Sequence, residues 1–272
     1  MTYAGKMSQA LAFPDEEIGC VLAPDVGVRL PVVSPQWHSL VARESAQRRV
    51  AYRYWRNRLL GWAIPRKKRG EMVEENYNQI WAAADLAKVV DPAQQQMPHE
   101  WRREGFMLNS SLTQKLHLSL MIKAVRHLRP QSVLEVGSGW GLNLLILACQ
   151  CPDTRFQGVE LTKNGVDLAR SLAGADELPE PLLRLMPAPS LDPNGFRRIQ
   201  VDRGSAERLP YPDASFDLVI TRLALEQMES IRETALSEIA RVARSHVLMV
   251  ESFREMNDDG LRRKYAIAND YF

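Results

Sequence analysis

Three glycines and two acids carry the most specific chemistry in this sequence. They begin in the stretch Glu135-Val136-Gly137-Ser138-Gly139-Trp140-Gly141-Leu142-Asn143. Ser132 to Glu135 read as the end of a buried parallel strand. The glycines force a tight turn, and Leu142, Leu144, Leu145 and Leu147 open a helix. A strand, a glycine turn and a helix start together aim backbone N–H groups and a positive helix end at a ligand. The spacing limits which ligand. A dinucleotide fingerprint needs a third glycine where Leu142 stands, and no Gly-Lys-Ser/Thr follows to make a phosphate loop. Glu135, two residues before the first glycine, would repel a pyrophosphate and suits a cation. A second strand, Gly158-Val159-Glu160-Leu161, ends in an acid 25 residues after Glu135.

This E-x-G-x-G-x-G pattern resembles motif I of the class I S-adenosylmethionine-dependent methyltransferases. Further on, Gly204-Ser205-Ala206-Glu207-Arg208-Leu209-Pro210-Tyr211-Pro212-Asp213-Ala214-Ser215-Phe216-Asp217 resembles the adenine loop and fourth strand of their small-molecule "type 11" branch. The likeness covers roughly residues 110–255. It implies S-adenosylmethionine as cofactor. Glu135 would face the methionine ammonium end, and Glu160, with Leu161, the ribose. Gly137, Ser138 and Gly139 would let the cofactor approach, Ser205 and Ala206 would edge the adenine, and the backbone at Thr221 or Arg222 would meet the amino group. Relatives often carry a histidine where Gln227 stands. Many also carry a mobile Tyr- and Trp-bearing helix that closes over the site, a part open here to Tyr77 and Trp81. Helix packing is an equal reading of both aromatics.

The elements that must position these groups alternate strand and helix, the signature of an α/β, doubly wound, mainly parallel sheet. Strands are predicted near 131–136, 155–160, 197–202, 215–221 and 245–252, and helices near 141–151, 163–174, 229–244 and 256–268. This Rossmann-like methyltransferase fold would carry an N-terminal, mainly helical extension. Ligands in such sheets bind at the strand carboxyl ends, which lines up Glu135, Glu160, Asp202, Thr221 and Glu251 along one edge. The division is an N-terminal arm and helical lid or extension, 1–110, and a methyltransferase domain, 111–272. The usual sheet of the family has seven strands, yet after Phe253 only 19 residues remain. The favoured expectation is a truncated chain that lacks the last strands; a cap from an 18–30 hairpin or from a partner chain is the alternative.

Upstream, residues 18–30 allow either a short hairpin or, preferably, an irregular arm. Helices are expected over 36–64, 71–90 and 112–129, with Ser110 or Ser111 as cap and Asp91 to Pro98 as linker. From Arg43 to Arg69 ten basic residues face one acid, Glu44, with Tyr52, Tyr54, Trp55 and Trp62 interleaved. A solvated basic face fits best; contact with an anionic membrane surface or with nucleic acid is also open. No clean apolar arc supports the membrane reading.

A net charge of +2, 45% hydrophobic and 25% charged residues describe an ordinary globular chain. There is no apolar run of membrane-spanning length and no signal layout. Cys20, Cys149 and Cys151 form no C-x-x-C, and a reducing cytoplasm is the expected compartment. No cluster has metal-ligand spacing. His117 and His127, ten residues apart, cannot share a ligand and read as structural or surface groups.

The cofactor brings its own leaving group, so the protein's task is alignment, worth up to ~7–11 kcal/mol of the barrier. A base is needed only for a hydroxyl or protonated amine acceptor. Glu226 and Glu251 are the candidates, with Gln227 as a polar contact. The expected activity is methyl transfer to a small-molecule acceptor, O- or N-directed, lipid- or glycan-linked acceptors included. An RNA methyltransferase or a non-catalytic module that kept the cofactor fold are the alternatives. Thr221-Arg222-Leu223-Ala224 is not the Asn-Pro-Pro-Tyr type of base methyltransferases, and the oligomeric state does not follow from the residues.

Overall fold

The computed structural model describes residues 21, 28–43, 52, 55, 67–90, 96–101 and 104–251. Its centre is β4 (Ser132–Val136), in which every residue is buried; the label follows three short upstream strands. β5 (Arg155–Glu160) and β6 (Gln200–Arg203) add on one side of it, β7 (Phe216–Arg222) and β8 (Ala243–Val250) on the other. All pairings in this order, β6-β5-β4-β7-β8, are parallel. The chain therefore winds outward twice from β4, and the order reverses between β4 and β7. That reversal leaves a crevice at the strand carboxyl ends.

The period of two along β4 sorts its side chains between two cores. Val133 packs with α4 (Ser110–Leu128), α5 (Leu142–Gln150) and α6 (Lys163–Ala173), whereas Leu134 and Val136 pack with α8 (Arg232–Val242) on the opposite face. Glu135 must then share the face of Val133, beneath α4 and α5. All nine residues of α5 are buried, which explains its continuous apolar run.

Several boundaries differ from the sequence expectation. The 71–90 helix is two: α2 (Lys67–Ala82) and α3 (Leu86–Val89), split where the Asp85 side chain accepts the Ala87 N–H and starts a new helix. Asn109, rather than Ser110 or Ser111, caps α4, accepting the Leu112 N–H at 2.9 Å. The proline-rich stretch 178–195, between the second predicted helix and the third predicted strand, holds a short helix, α7 (Glu180–Leu185).

The extension also contains a three-stranded antiparallel sheet, whose middle-numbered strand begins inside the expected 91–98 linker. β1 (Arg29–Pro31) and β2 (Met97–Trp101) flank β3 (Glu104–Leu108). Arg29–Pro31 thus pairs with a segment far along the chain; most of the 18–30 stretch, where a hairpin or an irregular arm was expected, lies outside the described residues. Trp37 of α1 (Pro35–Arg43), 1% exposed, seals this sheet; a Cβ on Gly105 would lie 2.5 Å from its ring. Phe106 and Leu108 pack against Leu112 of α4. The expected helix at 256–268 and most of the basic 43–69 segment lie outside the described residues; Tyr52 and Trp55 are both exposed. Cys149 and Cys151 are buried free thiols. Among the described residues, no helix is long and apolar enough to cross a membrane.

Candidate functional site

The glycine turn leaves β4 through three left-handed positions, Gly137 (φ 73°), Gly139 (φ 55°) and Gly141 (φ 78°). The N–H groups of Gly137 and Ser138 donate to the Val159 carbonyl at 2.9 and 3.2 Å, tying the turn to β5. A Cβ on Gly137 would lie 2.7 Å from the Ala224 Cβ, so neither the backbone nor the space admits another residue. Gly141 caps α5 without a side chain, and Leu142 follows as the first helical residue.

Glu135 is 2% exposed. Its Oε1 accepts a hydrogen bond from Asn143 Nδ2 at 2.5 Å, and Asn143 Oδ1 accepts one from Gln114 Nε2 at 2.6 Å. This chain from α4 through α5 fixes the carboxyl group. Its other oxygen, Oε2, is buried and has no hydrogen-bond partner among the described residues. Burial pushes the Glu135 carboxyl up to about 7; the Asn143 bond and the charge of Arg222 oppose that rise. A cation placed against Oε2 would restore the ionised form.

Glu160, also buried, turns back onto the glycine turn. Its Oε2 accepts the Gly139 N–H at 2.9 Å, and Oε1 accepts the Thr162 N–H and hydroxyl at 2.9 and 2.6 Å. The Glu160 carbonyl accepts the Gly204 N–H at 3.0 Å, which brings Ser205 and Ala206 to the same strand end. Leu161 holds Arg203 through its carbonyl. Asp202 bonds Tyr211 Oη and Gln157 Nε2 instead.

Across the reversal point, Thr221 pairs in register with Val136, and the chain turns at Leu223, a non-glycine residue with φ 49°. Glu251 stabilises that turn by accepting the Ala224 and Leu225 N–H groups at 3.2 and 3.4 Å. Burial raises the Glu251 carboxyl to about 7, and burial also raises Glu226, which accepts a bond from Gln227 at 3.2 Å. Arg222 donates from Nε to His117 Nδ1 at 3.1 Å. The tertiary structure therefore gathers Glu135, Gly137, Ser138, Gly139 and Glu160 at one turn, with Ser205 and Ala206 on one side. Thr221, Arg222, Glu226, Gln227 and Glu251 stand on the other.

Helix α2 lies over the turn. Asn78 caps α6, its Oδ1 accepting the Asn164 N–H at 3.0 Å and its carbonyl accepting Asn164 Nδ2 at 2.9 Å. Thr162, at the N-cap position of α6, makes no side-chain capping bond; its hydroxyl donates to Glu160 and is turned away from the helix. Glu74 pairs with Arg203 at 3.3 Å. Trp81, with Tyr77 at 5.8 Å between ring centroids, covers the glycines: a Cβ on Gly139 would lie 3.1 Å from its ring, and one on Gly165 3.0 Å.

Asn143, Gln114, Asn78 and His117 belong to the site, and sequence reading passed over the first three and set His117 aside. Asn143 alone left a signal, a polar residue within an apolar helix one turn past the glycines. Among the described residues, no three His, Cys, Asp or Glu side chains converge as a metal ligand set.

Residues 134–250 match the family described as Methyltransferase domain. This part of the chain is similar to class I methyltransferase domains. The cofactor that this likeness implies is S-adenosylmethionine. An uncharacterized methyltransferase, YcgJ, of Bacillus subtilis is 30% identical over 125 residues, 46% of this chain and 41% of that protein. Its crystal structure overlaps 47% of this chain with a TM-score of 0.35. Ajmaline N-methyltransferase of Rauvolfia serpentina is 28% identical over 45% of this chain and 35% of its own. Demethylmenaquinone methyltransferase of Deinococcus radiodurans is 31% identical over 42% and 39%. The matched part spans less than half the length of each of these relatives.

Proposed function

We propose that this protein transfers a methyl group from S-adenosylmethionine to a small-molecule acceptor, at oxygen or nitrogen. One observation carries the reading: a buried carboxyl oxygen, Glu135 Oε2, without a partner among the described residues, at the foot of a turn of three left-handed glycines. Such an oxygen fits an ammonium group, which would supply the missing bond and the opposite charge. Glu160 fits the ribose hydroxyls, since Oε2 carries a single bond and keeps a free lone pair. The open backbone at Gly137, Ser138 and Gly139 admits close approach, and Leu161, Ser205 and Ala206 border the nucleoside. The carbonyls of Thr221 and Arg222 share the ammonium with Glu135.

When bound, the cofactor supplies an electrophilic methyl on a sulfonium. The chain's part is to align the acceptor and to exclude water. Helix α2 serves as the lid: Trp81 stands over Gly139, and it must shift for a ribose to reach Glu160. A carboxyl raised towards neutrality is matched to proton removal at neutral pH. Glu251 and Glu226 are therefore the bases for a hydroxyl or protonated amine, with Gln227 orienting Glu226.

Calorimetric titration with S-adenosylmethionine and with NAD tests the reading. Wild-type protein should bind the former alone, and Glu135→Gln should bind it at least tenfold more weakly, the size expected for losing one charge-assisted bond of about 1.5–3 kcal/mol. Binding of NAD alone, or of neither, would overturn it.

A further inference from the structure

Arg222 is an arginine largely withdrawn from water whose charge no carboxylate among the described residues neutralises directly. Among the described residues its one hydrogen bond runs from Nε to His117 Nδ1, and it makes no ion pair. Glu135, Glu251 and Glu226 act on it through space only. The side chain emerges at the carboxyl end of β7, beside the strained turn at Leu223 and across from the glycine turn.

His117 decides how the guanidinium is presented. An acceptor for the Nε–H must use a lone pair on Nδ1, so the imidazole is neutral with its proton on Nε2. Burial holds it so, lowering its pKa to about 3, and Arg222 and His99 add to the effect. With Nε committed, the two terminal amino groups form the edge left for a ligand. That edge donates two parallel N–H bonds, the geometry of a carboxylate. The three surrounding glutamates oppose a ligand of more than one negative charge, which disfavours phosphate.

We propose that Arg222, oriented by His117, is the carboxylate-binding group of the site. This rests on the methyltransferase reading above and adds to it. Two ligands could bring the carboxylate: the amino-acid end of the cofactor, whose ammonium would sit on Glu135, or an acceptor that bears a carboxylate of its own. Arg222 binds the carboxylate directly, and His117 is a positioning residue.

The test compares wild type with Arg222→Met by calorimetry, using three probes: S-adenosylhomocysteine, 5′-methylthioadenosine (which lacks the amino-acid end), and benzoate added to the S-adenosylhomocysteine complex. A roughly ten- to hundredfold loss for S-adenosylhomocysteine, with 5′-methylthioadenosine unchanged, supports the proposal and assigns the carboxylate to the cofactor. Unchanged S-adenosylhomocysteine with loss of benzoate binding supports it and assigns the carboxylate to the acceptor. Either effect should recur in His117→Phe and be restored in His117→Asn, whose amide oxygen can accept the Nε–H. If all three probes respond alike, or none responds, the proposal is overturned while the cofactor site stands. A wild-type protein that binds neither nucleoside would overturn the methyltransferase reading itself.

Discussion

Glu135 lies on the face of β4 that packs beneath α4 and α5, and its burial there makes the folded protein sensitive to pH. Its carboxyl titrates near 7 in the fold, against 4.5 for the ordinary side chain. Between those values the unfolded chain releases a proton that the folded chain keeps, so stability falls as pH rises from about 4.5 to about 7 and then levels off. Glu135→Gln should remove this part of the loss. Urea midpoints at pH 5 and pH 8 should differ less in the variant than in wild type, with a remainder set by Glu251 and Glu226, raised in the same sense, against His117, which is lowered and acts in the opposite sense. Gly137→Ala acts in the opposite way. It places a methyl group at φ 73° and 2.7 Å from Ala224 Cβ. We expect a stability loss of about 1–3 kcal/mol by denaturant titration, together with loss of S-adenosylhomocysteine binding.

At the scale of elements, α2 matters most, since a helix from the extension supplies the cap of a helix in the parallel-sheet domain. Asn78 satisfies an Asn164 N–H that the Thr162 side chain does not cap. Asn78→Ala should cost about 1 kcal/mol at this contact. The expected consequence is about fivefold faster release of S-adenosylhomocysteine in stopped-flow tryptophan fluorescence, with the melting temperature nearly unchanged. A large drop in melting temperature would instead make α2 part of the core. The small sheet shows a different lesson. Phe106-Met107-Leu108 is a short apolar run, which cannot be assigned to strand or helix by pattern alone. It became β3 because Trp37 and α4 cover it and β1 reaches it from about 75 residues away.

For the whole molecule, the question is whether residues 1–110 and 111–272 unfold separately. Phe106 and Leu108 of the extension form one cluster with Leu112 of α4, and α4 in turn packs on the parallel sheet. We propose that the two parts melt together. Trp37→Ala, which empties a site 1% exposed, should destabilise by about 3–5 kcal/mol and shift a single calorimetric transition. Two separated transitions would restore a boundary at 110.

The parallel sheet and the glycine turn were legible in the sequence because both depend on local rules. Apolar runs between turn signals mark buried strands, and only glycine tolerates the left-handed angles that Gly137, Gly139 and Gly141 adopt. Glu135 and Glu160 were legible for the same reason, each one a fixed step from a strand end. What surrounds them was not. Asn143 and Gln114 meet Glu135 only once α4 and α5 cross, Trp81 reaches Gly139 only once α2 docks on α6, and His117 meets Arg222 across 105 residues of chain. A single sequence carries no mark for contacts so distant, since each partner satisfies its own local pattern equally well as a surface residue. Tertiary packing alone decided which of Glu135's two oxygens is held and which has no partner among the described residues.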